Sequence, residues 1–153
     1  MGNLNENLTQ STNEKFLPFV IKNGLISGLF IGITSYIFLL FAVRVYPDLF
    51  TEYFNPVFNS DGSRDVFYYL HSFILGIGLA VLWYRFRANF KGNFILRGIE
   101  FGLLYLVIAL IPVMWITFSA INVSVNLILS WTLYGFVQAC LAGFVFALLS
   151  KKH

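Results

Sequence analysis

Residues 25–43 read LISGLFIGITSYIFLLFAV, a run without a single charged side chain. A helix needs about 20 apolar residues, at roughly 1.5 Å of rise each, to cross the hydrocarbon core of a bilayer. Three further runs match it in character, at residues 66–84, 101–121 and 127–149. A continuous apolar run satisfies its backbone groups in lipid only as a helix, whereas a membrane barrel would show short alternating segments. The chain is therefore expected to be all-α, an integral membrane four-helix bundle over residues 18–149.

Composition argues against a water-soluble fold. Of 153 residues, 58% are hydrophobic and only 11% are charged, less than half the ~25% of a typical soluble domain. The mean hydropathy is +0.76. A water-soluble core of this size could not hide so much apolar surface. The formal charge of +3 would suit a nucleic acid, but the basic residues stand at helix ends and form no patch, so no such partner is expected. Cys140 is the single cysteine, which excludes an internal disulfide and argues against structural zinc. The first run follows a polar segment and lacks an Ala-x-Ala site, so it does not read as a cleaved secretory signal. Glu6 stands where a myristoylation motif needs Ser or Thr.

Four spans put the polar tail (residues 1–17), the middle link and the tail at residues 150–153 on one side. That side holds Lys15, Lys22, Arg85, Arg87, Lys91, Arg97, Lys151 and Lys152, against only Arg44 and Arg64 on the other. The bias predicts that both termini are cytoplasmic in a cell inner membrane. Asp48, Glu52, Asp61 and Asp65 fall on the opposite side, in or beside the 44–65 loop. Tyr46, Phe50, Tyr53, Phe54, Tyr68, Tyr69, Trp115 and Trp131 would gather at the outer interface, and Trp83, Tyr84, Phe86 and Phe90 at the inner one.

Between the spans, the polar composition of Met1–Glu14 predicts a loose tail. In the 44–65 loop, Leu49, Phe50, Tyr53 and Phe54 recur at helical spacing opposite Asp48 and Glu52. They predict a short interfacial helix bounded by Pro47 and Pro56. Asp61-Gly62 marks a turn, and Ser63 or Asp65 is positioned to cap the second span. The few residues around Asn122, Ser124 and Asn126, which include a sequon, force an antiparallel hairpin. A faint repeat runs through the chain. Gly24-Leu-Ile-Ser-Gly28 resembles Gly98-Ile-Glu-Phe-Gly102, and His71-Ser72, Gly76, Ala80 matches Gln138-Ala139, Gly143, Ala147 at equal offsets. Either duplication of a hairpin or convergence of apolar helices would produce it.

The small residues carry the clearest pattern within the spans. Gly24, Gly28 and Gly32 form a double GxxxG, Gly98 and Gly102 another, and Ser72, Gly76, Ala80 and Gly135, Ala139, Gly143, Ala147 give similar stripes. Without Cβ bulk, backbones approach closely and gain dispersion contacts that lipid does not match. The stripes serve either packing within one bundle or, for the first span above all, docking onto a partner. His71 and Glu100 are the ionisable groups, Tyr and Cys aside, within or at the edge of the spans. Such groups are functional candidates because an unpaired charge in lipid is costly. Glu100 is expected to favour a helix N-terminus and pair with Arg97, Lys22 or Arg85. His71 is expected to be a neutral interior group bonded to Gln138, a tyrosine or a carbonyl. Haem ligation by His71 would need a homodimer or a five-coordinate iron, since no other His lies in a span. Pro112 should kink the third span, and Tyr105, Thr132, Tyr134 and Gln138 offer polar groups to bridge helices. No phosphate loop, metal-binding His-Glu-x-x-His or Ser-His-Asp set is present, so nothing argues for catalysis.

The segments Lys22-Asn-Gly-Leu-Ile-Ser-Gly28, Arg97-Gly98-Ile-Glu-Phe-Gly102 and Trp131 to Gly143 resemble those of small uncharacterised four-span bacterial inner-membrane proteins. The resemblance covers the four spans and implies topology. Small multidrug exporters also have four spans, but they carry a transport carboxylate in the first, where this chain has none. Three functions remain as expectations. The first is an accessory or scaffold subunit of an inner-membrane complex, joined to a membrane-protein partner or to its own copies. The second is a small transporter or proton-linked carrier working through His71, Gln138 and Tyr134. The third is a haem-binding protein. The topology has a direct test. A reporter fused after His153 should be active only if it reads the cytoplasm, and one inserted at residue 60 only if it reads the opposite side.

Overall fold

The computed structural model describes residues 2–58 and 61–150, with side chains from residue 16 onward. It is all-helical among these residues. The elements are α1 (Gly2–Val45), α2 (Pro47–Thr51) with a 3-10 turn Glu52–Phe54, α3 (Asp65–Phe86), α4 (Phe94–Tyr105), a π-helical turn Leu106–Leu110, α5 (Ile111–Ala120) and α6 (Val125–Leu149). Four stretches are long and apolar enough to cross a membrane: Phe16–Val45, Asp65–Phe86, Phe94–Ala120 and Val125–Leu149. Each outruns its charge-free run, because helix persists into the polar flanks. α1 takes in Met1–Glu14 from Gly2 onward, where composition predicts a loose tail. Neither Pro nor Gly interrupts Asn3–Phe16, and extending an existing helix needs no new nucleus. Lys151 and Lys152 lie outside the described residues.

The bundle is two helix pairs, α1 with α3 and α4 with α6, each built on a glycine crossing. A Cβ on Gly76 would stand 2.5 Å from the Gly24 carbonyl oxygen and 2.7 Å from the Gly28 nitrogen. One on Gly143 would stand 2.8 Å from the Gly98 Cα. The two crossings share a register. Gly24 faces Ile77 and Gly28 faces Phe73, while Gly98 faces Phe144 and Gly102 faces Cys140. One fixed offset on each helix turns the first set into the second. The sequence repeat is thus a repeat of contacts.

Around the crossings lies an aromatic core at the end of the bundle that carries the tails. Trp83, Phe101 and Phe146 are fully buried, and Phe90 stacks on Trp83 at 5.3 Å between ring centroids. Trp83 therefore does not serve as the interfacial anchor that its place near a helix end predicts. The close helix approach encloses its ring, and its Nε1 donates to Ser150 Oγ at 3.2 Å. Ser27 is wholly buried too, and its hydroxyl has no partner among the described residues.

The connections follow local chemistry. Gly92 (φ 91°) turns the link between α3 and α4, a backbone conformation that favours glycine. Asn93 Oδ1 caps α4 by accepting from Leu96 N at 2.9 Å. The Asp61-Gly62 turn forms as expected, with Ser63 N donating to Asp61 Oδ1 at 2.9 Å. Neither Ser63 nor Asp65 caps α3, however. Arg64 occupies the cap position without a side-chain bond, and Asp65 is already in the first turn. In the third span Pro112 lacks the N–H that Ile108 would bond, and its ring crowds that carbonyl. The helix widens just before it: Ile111 N bonds Leu106 O across a π turn, a known route to relieving such a conflict.

The crossings predict an unequal response among glycines. Gly76→Leu should lower bundle stability by at least ~1–3 kcal/mol, because two backbones must part. Gly78 has nothing within 4 Å of its would-be Cβ, so Gly78→Ala should be neutral or stabilise by up to ~1 kcal/mol. Thermal unfolding in detergent, compared across the two variants, checks this.

Candidate functional site

Burial is lopsided along the bundle. On α1 the buried positions run from Val20 to Ile31 and then stop, although the helix continues to Val45. On α3 residues 65–71 are all exposed and burial begins at Ser72. α5 buries nothing. The helices pack tightly at the tail end and part toward the 44–65 loop. Phe38 of α1 and Tyr134 of α6 meet in that gap, ring centroids 5.8 Å apart.

The parting leaves a side-opening groove of about 420 Å³ between α1 and α6. Ile37, Phe38, Phe41, Leu133, Val137 and Leu141 make its apolar walls, and Thr34, Ser35, Tyr134 and Gln138 add polar atoms. Thr34 spends its hydroxyl on the Phe30 carbonyl of its own helix, at 2.8 Å. Gln138 is nearly buried and donates Nε2 to Ser35 Oγ at 2.9 Å. This bond ties α6 to α1 at the floor of the groove.

A smaller recess of about 60 Å³ adjoins the groove, sharing Ser35, Tyr134 and Gln138 with it. Its other walls come from Gly32, Tyr36, Tyr68, Tyr69, His71 and Ser72. The structure thus brings His71, Gln138 and Tyr134 to one place. It does not give His71 the expected setting. The ring is exposed at the rim, and it makes no hydrogen bond among the described residues because Gln138 is turned to Ser35 instead. A recess of this size offers a haem no slot within the chain. Haem would have to lie on the outer surface against His71 or between two copies.

Other candidates fall elsewhere. Glu100 is exposed at the tail end, far from His71 in the chain's layout, and forms no ion pair with Arg97, Lys22 or Arg85. Its Oε2 accepts from the Lys91 backbone N–H at 3.2 Å, tying down the link that Gly92 turns. Thr132 does not bridge helices, since its hydroxyl returns to the Ile128 carbonyl of α6. Tyr105 packs against the core without a hydrogen bond. Gly24, Gly28, Gly76, Gly98, Gly102 and Gly143 face neighbouring helices of the same chain, as do Gly32 against Ser72 and Gly135 against Leu110. The residue that sequence reasoning missed is Ser35, the partner of Gln138. Its signal was a hydroxyl three residues beyond Gly32, on a helix with few polar groups.

The 44–65 loop closes over the groove end of α6. The predicted short helix is present as α2, but the 3-10 turn after it changes the phase and leaves Phe54 80% exposed. Tyr53 instead turns inward, and Trp131 Nε1 donates to its hydroxyl oxygen at 2.6 Å. Glu52 reaches the link before α6. Its Oε1 accepts from Ser124 Oγ at 2.5 Å and its Oε2 from Ser124 N at 3.2 Å. Ser124 Oγ in turn caps the helix by accepting from Leu127 N at 3.1 Å. A carboxylate there also meets the positive end of the α6 dipole. Among the described residues no group of His, Cys, Asp and Glu could hold a metal ion. No known protein family, curated protein or solved structure matches this chain.

The loop contact carries a pH signature. Burial pushes the Tyr53 phenol above its ordinary 10, the Trp131 bond pulling it partly back. The phenol is charged only when deprotonated, so the Tyr53 contribution to loop docking should be fully present below pH 10 and weaken as pH rises past it. An absorbance titration of Tyr53→Phe against the parent protein isolates the component. Its loss should appear above pH 10.

Proposed function

We propose that this chain is an integral protein of a bacterial inner membrane, both termini cytoplasmic, that takes a neutral and largely apolar molecule from the bilayer into the groove between α1 and α6. The groove with its polar end is the observation that carries the reading. Its volume of about 420 Å³ sits within the ~300–1,000 Å³ of small-molecule sites, which are mostly apolar with a few convergent polar groups. No charged residue lines it, so an ion would lose its hydration there without compensation. Gln138, with one amide hydrogen held by Ser35, keeps a carbonyl oxygen for a ligand donor. Tyr134 and Tyr68 present hydroxyls, and the imidazole of His71 both donates and accepts when neutral. A molecule with an apolar body and a hydrogen-bonding head matches this lining. His71 lines the adjoining recess, and a carrier is the natural extension of the reading.

A second reading fits the same groove, an accessory subunit holding a partner's helix. The groove runs along Thr34–Phe41 and Leu133–Leu141, about two turns of each helix, and is open along its side. A helix of another protein, or of a second copy, would need such a side entrance. The large apolar exposure of α1 and α5 does not decide between the readings, since lipid alone would cover it.

One experiment separates them. The protein, extracted gently from its own membrane, is weighed by native mass spectrometry beside Val137→Trp, whose indole fills the groove. A small lipophilic molecule bound one to one and lost in the variant supports the ligand site. A polypeptide lost in the variant instead establishes the subunit reading. Equal masses of bound material in both proteins would remove the groove from the account.

A further inference from the structure

Away from the groove, at the tail end, three arginines lie over aromatic rings. Arg85 sits over Phe16 at 5.4 Å from guanidinium carbon to ring centroid. Arg87 sits over Tyr84 at 4.6 Å and over Phe19 at 5.4 Å. Arg97 sits over Trp83 at 5.2 Å, and its Nε is buried without a partner among the described residues. A guanidinium held over a ring by cation–π attraction keeps N–H groups for an acceptor elsewhere. Among the described side chains no carboxylate takes up those forks: Glu100, the one acid whose side chain is described at this end, accepts from a backbone N–H.

We infer that Arg85 and Arg87, held over the touching rings of Phe16, Phe19 and Tyr84, form a site for the phosphate of an anionic phospholipid. Three observations support that occupant. The tail-end segments carry Lys15, Lys22, Arg85, Arg87, Lys91, Arg97, Lys151 and Lys152 against Glu6, Glu14 and Glu100, an excess of positive charge that is complementary to an anion. The forks match phosphate oxygens in geometry, and a planar fork binds them with two parallel bonds. The rings hold the forks at a helix end, the level at which lipid phosphates would stand beside a spanning helix. Pinning also removes part of the side-chain entropy that an unrestrained arginine loses on binding. Loose basic residues near a membrane surface attract anionic lipid in any case. Held guanidiniums go further and favour phosphate over mere negative charge. A zwitterionic lipid offers the same phosphate, but its headgroup cation meets like charges.

The inference rests on the reading that the four helices cross a bilayer, and that reading has a separate check in resistance of the membrane-bound protein to alkaline extraction. The site itself is tested on the full chain in detergent. Short-chain phosphatidylglycerol, short-chain phosphatidylcholine and inorganic phosphate are added in turn, with retention in the native mass spectrum and the melting temperature as readouts. Phosphatidylglycerol should bind at least about tenfold more tightly than phosphatidylcholine, and inorganic phosphate at equal concentration should neither bind nor shift melting. Arg85→Gln with Arg87→Gln should bring phosphatidylglycerol down to the level of phosphatidylcholine. The corresponding lysine variants, which keep charge but not the stacked fork, should fall between. Arg64→Gln, at the other end, should change nothing. Equal retention of the two lipids by the unaltered protein would overturn the site even if the variants fail to fold. Tight binding of inorganic phosphate would make it a free-anion site, and glutamine variants that bind like the parent would place the lipid elsewhere.

Discussion

Helix backbones come into near contact at Gly28 with Gly76 and at Gly98 with Gly143, and these two crossings set where the bundle is closed and where it is open. Two helices in lipid gain nothing from burying leucine against leucine rather than against acyl chains. They gain from contacts that lipid is too irregular to make. A would-be Cβ at Gly76 standing 2.5 Å from a neighbouring carbonyl oxygen shows how little room remains. Because these crossings sit toward the tail end, the aromatic core of Trp83, Phe101 and Phe146 forms there. The groove is what the same crossings leave open beyond them.

Much of the architecture was legible in the sequence because long charge-free runs leave few alternatives to a helix. Charge-free runs located the four helices, and the glycine stripes named the faces that meet. The repeat read from Gly24, Gly28, Gly98 and Gly102 returned as equal contacts with Ile77, Phe73, Phe144 and Cys140. What resisted reading was the direction of individual side chains. Trp83 looked interfacial because it is near a helix end, yet a turn of helix decides whether a ring faces lipid or core. His71 looked interior because it is ionisable, yet it stands at a rim. Glu100 looked like an ion-pair partner, and a backbone N–H from the glycine turn reached it first. In each case the competitor was a tertiary contact between residues distant in sequence, which no periodicity reveals.

The groove illustrates the same limit. Gln138 and Tyr134 stood out as polar residues in an apolar span, and their grouping with His71 followed from helix pairing alone. Ser35 did not stand out, though its bond to Gln138 is what fixes the floor. The 44–65 loop adds a second tie at the far end of α6, through Tyr53 to Trp131 and Glu52 to Ser124. Between those two ties the wall of the groove from α6 is held, while the facing stretch of α1 beyond Ile31 buries no residue. Any change in the width of the groove therefore falls to α1.

The repeat also explains why the recess beside His71 opens in one helix pair only. The offsets that match the glycine crossings carry Leu110 to Tyr36 and Gly135 to Tyr68. In the second pair Leu110 packs directly on Gly135, where a Cβ would stand 2.8 Å from the Leu110 Cδ2. A small residue there lets the helices stay together past the crossing. In the first pair two tyrosines occupy the equivalent places, and both line the recess beside His71. Two rings cannot fill the space of a leucine against a glycine, so α1 and α3 part. The departure from the repeat, rather than the repeat itself, creates the site. Exchanging bulk for closeness at those positions gives up packing contacts, and in return it places phenol hydroxyls beside Ser35, Gln138 and His71, where an otherwise apolar bundle has almost no other means to recognise a polar group.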